Sequence, residues 1–171
     1  NAIIADNLLI GTSAGRLLAA SQCKRWGLVR YKQRTTREPH QLRIRGIEDT
    51  ARQAGASFEV ICLPPPPQKP TDRDLARLAK RDFDGLFALD SVLSVNTLQA
   101  CRRVGLKPGE DISLVGVNCS QWHGPAMPSI TSIDVSWSEV GRTAMQQLIQ
   151  LSHDHQYLFE SILIKPQIAP G

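Results

Sequence analysis

Apolar positions along the chain change period several times, and each change marks a new element. From Leu8 to Ala20 they fall at Ile10, Ala14, Leu17 and Leu18, the three-to-four spacing of a helix. Gly27–Tyr31 is a short β-prone run. Gln41–Ala54 returns to helical spacing and stops at Gly55. Phe58–Leu63 reads as a strand that runs into Pro64–Pro67, which predicts an extended linker. Thr71–Arg81 predicts a helix, with Thr71 as N-cap and Asp74 as its capping-box partner. Gly85–Ala88 reads as a buried strand. Leu93–Val104 reads as a helix ended by Gly105 and the turn at Pro108-Gly109. Ile112–Val117 is the most strand-like run, 124–128 reads as loop, and Ile130–Ile133 as a short extended segment. Ser136-x-x-Glu139 forms a second capping-box pattern. The stripe that follows it, Trp137, Val140, Ala144, Leu148 and Leu151, predicts core packing. Ser161–Lys165 reads as a closing strand.

Strands alternating with helices of this length predict an α/β fold with a parallel sheet built from right-handed βαβ units. Such a sheet places its binding site at the carboxyl ends of its strands. The polar residues following each strand are therefore the candidates. Asp6 and Asn7 stand at the first helix start, Arg43 on the helix after the first β-prone run, Asp90 after Gly85–Ala88, and Asn118 after Ile112–Val117, with Trp122 close behind. Carboxylates accept from hydroxyls and arginine donates in a planar fork, so this set suits a polyhydroxylated ligand. Trp122 offers an apolar face for a sugar ring. Each has a structural alternative: Asp90 as a cap of the next helix, Asn118 as a turn former, Trp122 as a loop anchor.

Composition narrows the picture. The 171 residues carry a net charge of +4, with 42% hydrophobic and 21% charged residues, the profile of a globular domain. No apolar run is long enough to cross a membrane as a helix, and no signal peptide is visible. Eight of the 20 Lys and Arg residues lie between Lys24 and Arg45, which reads either as a solvated basic segment or as a surface for nucleic acid. Cys23, Cys62, Cys101 and Cys119 show no CxxC or Cys/His metal spacing, so free thiols and a cytoplasmic location are expected. Phosphate-loop, dinucleotide, nucleophile-elbow and HExxH motifs are absent, and Gly11-x-x-x-Gly15 lies inside a helix. No catalytic residue, cofactor or metal is expected. His153-x-His155 reads as a solvated helix end rather than a metal pair.

Residues 111–148, DISLVGVNCSQWHGPAMPSITSIDVSWSEVGRTAMQQL, resemble the C-terminal signature of the lactose-repressor (LacI/GalR) family of bacterial regulators. The opening IIADNLLIGTSAGRLL, the segment RIRGIEDTARQAG, and GLFALDSVLSVNTLQACRRVGLKPGEDIS resemble further family patterns, in family order. The ending ILIKPQIAPG is similar to a subgroup like the xylose-operon activator, in which an AraC-type DNA-binding domain follows the sensor.

The resemblance implies a periplasmic-binding-protein-like fold, with a flavodoxin- or Rossmann-like lobe. The lobe core would span about 8–130, and the crossover with its closing helix and strand about 131–171. A first lobe would lie upstream. It further implies a sugar-like effector between two lobes, a homodimer, and contact with DNA only through a helix-turn-helix outside this chain. Asp6, Arg43, Asp90 and Asn118 match the family's ligand-lining positions. Leu89 departs from them, standing where many relatives place a polar ligand-binding residue, and Asn118-Cys119 replaces an acidic pair. With these departures the effector expected is a small polar molecule, specifically a pentose. A fragment of an exported sugar-binding protein is the alternative, and a flavodoxin-like enzyme domain comes third.

Overall fold

The computed structural model describes residues 2–32, 37–122, 130–154 and 156–171. Its main body is a six-stranded sheet in the order β3-β2-β4-β5-β6-β8. These strands are β2 (Arg25–Tyr31), β3 (Ser57–Leu63), β4 (Gly85–Ala88), β5 (Ser113–Val117), β6 (Thr131–Asp134) and β8 (Gln167–Ala169). All neighbours run parallel except β6 and β8, which pair antiparallel through Ile133 and Ile168. A separate parallel pair joins β1 (Ile3–Ala5) to β7 (Ile162–Ile164). The expected α/β fold with a mainly parallel sheet is therefore present.

Helices cover both faces, as a parallel sheet requires. On one face lie α1 (Asn7–Ala20) and α2 (Glu38–Ala54). A Cβ on Gly85 of β4 would meet Leu18 of α1, which places α1 over that side of the strand. A Cβ on Gly116 of β5 would meet Ser94, so α4 (Ser91–Arg103) lies on the other face, after α3 (Asp72–Ala79). All four residues of β4 are buried, and Trp26, Leu28, Leu86, Phe87 and Leu98 are fully or almost fully enclosed. Trp26 satisfies its indole N–H on the Cys23 carbonyl at 2.9 Å, so the ring is buried without a stranded donor.

The α1–α2 contact depends on missing side chains. A Cβ on Gly11 would sit 1.9 Å from the Arg43 carbonyl oxygen, and one on Gly46 would sit 2.4 Å from the Leu8 carbonyl oxygen. The two backbones touch there, so Gly11-x-x-x-Gly15 is a helix-contact motif, consistent with its lack of a phosphate-loop context.

Several local expectations need correction. The prolines do not form an extended linker throughout: a turn at Pro66–Pro67 is closed by Gln68 N–H donating to the Pro65 carbonyl. The Thr71–Asp74 capping box closes in both directions, but Ser136 makes no side-chain cap bond to α5 (Trp137–His153). Glu139, its expected partner, is instead held by Arg142 on the next turn. The α5 stripe is largely not core either: Val140 packs half-buried against the core, and the rest of the stripe is not part of it. Only Thr143 is buried along the helix, while Trp137 and Leu148 are 64% and 59% exposed. Strands β1 and β8 were not anticipated; each has three residues, too few to show a period.

No described helix is long and apolar enough to cross a membrane. The basic stretch from Lys24 to Arg45 disperses: Arg25 pairs with Asp84, Lys32 with Asp74, Arg45 with Asp49, and Arg43 is buried.

Candidate functional site

The carboxyl edge of the sheet collects most of the expected residues. Asp6 precedes α1, and its Oδ1 accepts from Leu9 N–H at 2.8 Å, so the carboxylate works as an N-cap. Asn7, the next residue, donates its amide to the Ala5 carbonyl and accepts from Arg43 Nε at 2.9 Å. Arg43 Nη1 donates to the Leu89 carbonyl at 2.5 Å, at the end of β4. Arg43 thus ties α1, α2 and β4 together, and the Gly11 contact fixes its backbone. It is only 9% exposed. Burial pulls its pKa down, and the nearby Asp90 carboxylate opposes that fall. Its Nη2 carries no bond among the described residues.

Asp90 caps α4 by accepting from Leu93 N–H at 2.8 Å. The capping alternative is therefore realised, and it does not remove the charge from the edge, because one carboxylate oxygen carries the cap bond. Asn118 adopts a left-handed backbone with φ 53°, where asparagine is tolerated better than most residues. Its Oδ1 accepts from Val135 N–H at 2.7 Å, tying the end of β5 to the exit of β6. Asp90 and Asn118 follow neighbouring parallel strands, two residues past the end of β4 and one past the end of β5. Trp122 ends a short 3-10 turn, Ser120–Trp122; its side chain lies outside the described residues, as do the expected loop at 124–128 and His155.

A small cavity of about 160 Å³ opens beside Asn118, lined by Ser120, Gln121, Asp134, Val135 and Trp137. Trp137 and Asp134 were not among the candidates. Trp137 was assigned to a core stripe because its spacing matches α5, and spacing alone does not reveal that the first turn of a helix faces a cavity. Behind the cavity, Cys119 is fully buried and its Sγ lies 3.2 Å from Ser132 Oγ. Burial pushes the Cys119 thiol up, and it pushes the Cys101 thiol up to about 12. Both behave as inert small hydrophobes at neutral pH. All four cysteines are free. A larger cavity, about 360 Å³, lies between Pro64–Pro70 and α4. It shares none of the candidate residues, so size does not make it the site that the strand ends define. Among the described residues no cluster of His, Cys, Asp and Glu fits a metal ion.

The model of a periplasmic binding protein-like domain matches residues 16–171. The chain belongs to that family. Solved structures with the same fold include a periplasmic binding protein/LacI transcriptional regulator from Alkaliphilus metalliredigens complexed with D-xylulofuranose. It has a TM-score of 0.81 at 18% identity, covering 98% of this chain and 64% of that one. A LacI family transcriptional regulator from Enterococcus faecium with bound ribose has a TM-score of 0.78 at 18% identity, covering 99% and 63%. A periplasmic binding ribose operon repressor protein from Lactobacillus acidophilus has a TM-score of 0.77 at 17% identity, covering 98% and 62%. These identities establish the shared fold. The chain spans less than two thirds of the length of each of those proteins. No curated protein matches it by sequence.

Proposed function

We propose that this chain is the effector-sensing part of a bacterial transcription regulator of the LacI type. It binds a small sugar-like molecule at the carboxyl edge of its sheet, with a second lobe closing the cleft from outside this chain. The observation that carries this reading is Arg43, a buried guanidinium with one nitrogen unbonded among the described residues, fixed by Asn7 and the Leu89 carbonyl beside Asp90. Asp6, Arg43, Asp90 and Asn118 supply polar contacts, Trp137 lines the cavity beside Asn118, and Trp122 is the aromatic candidate named from the sequence. The regulators with this fold that were solved with ribose and xylulofuranose make pentoses the first class to try.

In this reading the domain performs no catalysis. The effector binds two lobe arrangements with different affinity, and that difference alone shifts the regulator's hold on DNA. DNA contact belongs to a helix-turn-helix outside this chain. The regulator works as a homodimer in the cytoplasm.

Thermal melting of the full-length protein with pentoses, hexoses and nucleobases tests the reading, because a true ligand raises Tm by mass action. Arg43→Ala is expected to abolish that rise and to lower stability by about 2 kcal/mol through the lost charged hydrogen bonds. A Tm rise that survives Arg43→Ala would remove Arg43 from the site. An effector that raises Tm but leaves operator affinity unchanged would remove the regulatory role.

A further inference from the structure

Arg30 lies one residue before the end of β2. Its Nε is buried and has no hydrogen-bond partner among the described residues. Buried polar groups are nearly always satisfied, so an orphaned guanidinium nitrogen calls for a partner from outside. Its position shows where that partner belongs. Trp26 pairs with Gly85, whose α1-facing side meets Leu18. Side chains alternate along a strand, so Trp26, Leu28 and Arg30 share the face covered by α1 and α2. The pairing of Val29 with Ala88, continued one residue, sets Arg30 opposite Leu89, whose carbonyl holds Arg43.

The register sets Arg30 beside Leu89, and the Leu89 carbonyl holds Arg43, so both arginines belong to one strand end. Neither has a carboxylate within ion-pair distance among the described residues; Arg16, Arg37 and Arg73 share that, but only Arg43 is itself buried and only Arg30 has a buried nitrogen without a partner. Asp90 is the acidic group that acts on Arg43, and it does so while capping α4. Two cations at a half-buried edge with one nearby carboxylate between them are costly unless a further anion joins them. Guanidinium forks match phosphate and carboxylate oxygens, which accept two parallel N–H donors. Leu89, between them, adds an apolar floor at 2% exposure and no competing hydroxyl acceptor.

We propose that the effector carries an anionic group, a phosphate or a carboxylate, bound by Arg30 and the free Nη2 of Arg43. The effector is then a sugar phosphate or a sugar acid. This rests on the sensor reading above and narrows its ligand class.

Calorimetric titration of the full-length protein with ribose, ribonate and ribose 5-phosphate tests it. Nitrogen NMR of the arginine Nε groups during titration with inorganic phosphate accompanies these. At least one anionic sugar is expected to bind tenfold or more tighter than ribose, with ribonate and ribose 5-phosphate distinguishing carboxylate from phosphate. Arg30→Met is expected to lower that affinity at least tenfold. Arg30→Lys, which keeps the charge and loses the fork, is expected to lower it less. Ribose binding as tightly as both anions would overturn the anionic class and leave the sensor reading standing. So would an anionic preference that survives Arg30→Met in a variant with a normal melting transition. If no sugar binds, a saturable phosphate shift at the Arg30 Nε retains the anion site and removes the sugar. The absence of that shift removes both.

Discussion

Helix α1 lays Ile10, Ala14 and Leu18 beneath its neighbours at zero exposure, while α5 leaves Trp137, Met145, Leu148 and Ile149 between 48% and 64% exposed. Both helices show apolar residues at helical spacing. Spacing defines an apolar face; it does not say what covers it. For α1 the cover is the sheet on one side and α2 on another, with Gly11 and Gly46 removing the side chains that would hold the helices apart. Among the described residues α5 packs chiefly on the two-stranded β1–β7 sheet, with Val140 reaching the core, and two parallel strands are too few to enclose a helix.

The contrast is sharpest for leucine. Leu18→Ala is expected to cost about 3 kcal/mol, the sum of lost transfer energy and an unfilled cavity. Leu148→Ala is expected to change the stability of this chain by about 0.5 kcal/mol or less. Urea unfolding measures both. A Leu148 loss as large as that of Leu18 would show that α5 is packed within the chain, and the comparison would fail.

Glycine gives the next contrast, with opposite signs. Gly11→Ala forces a Cβ onto the Arg43 backbone and is expected to destabilise by about 2–3 kcal/mol. It is also expected to weaken effector binding, because the displaced backbone is that of Arg43. Gly141→Ala on α5 meets nothing within 4 Å and is expected to stabilise by about 0.5–1 kcal/mol through helix propensity alone. Thermal melting of the pair reads the signs directly, and equal signs would break the comparison.

The smallest contrast lies in the two capping boxes. Thr71→Ala is expected to cost about 1 kcal/mol, and Ser136→Ala only a few tenths, since Ser136 bonds no helix N–H. The closed box also leaves a pH signature. Asp74 is held at about 2, below its ordinary 3.8, by Lys32 and by the Thr71 backbone and hydroxyl. A depressed carboxylate stabilises the fold above its ordinary value, and that contribution is lost as pH falls through the range between 3.8 and about 2. Asp74→Asn is therefore expected to be less stable than the parent at pH 7, with the gap closing toward pH 2. A gap that stays constant with pH would mean that the Asp74 charge plays no part.

Much of the fold was legible because its elements are bounded by strong local chemistry. Gly55 and Gly105 stop their helices in left-handed conformations, and Gly85–Ala88 is buried over its whole length. Elements that depend on distant partners were not legible. β1 and β8 are strands only because β7 and β6 lie beside them. The candidate site shows the same division. Asp6, Asp90 and Asn118 could be named as candidates because each opens a helix or follows a recognisable strand, whereas Arg43 lies inside α2 and was named as a candidate because that helix follows a β-prone run. Arg30 and Trp137 were missed because each fits a regular period, a strand in one case and a helix stripe in the other. What singles them out is an orphaned nitrogen and a cavity wall, which exist only in three dimensions.

The backbone passes between the six-stranded sheet and the β1–β7 pair three times: at Asp6, at Val135–Ser136, and at Lys165–Pro166. All three passages lie at the same edge of the large sheet. Asp6 N–H donates to the Ile164 carbonyl, and the Asn118 side chain holds Val135, so the passages are braced by candidate ligand residues or their immediate neighbours. Mechanically this is a triple-strapped joint: one strap permits any swivel, whereas three side by side resist twisting and leave bending across the seam as the soft motion. A molecule seated at that edge would load the joint along the one direction in which it yields.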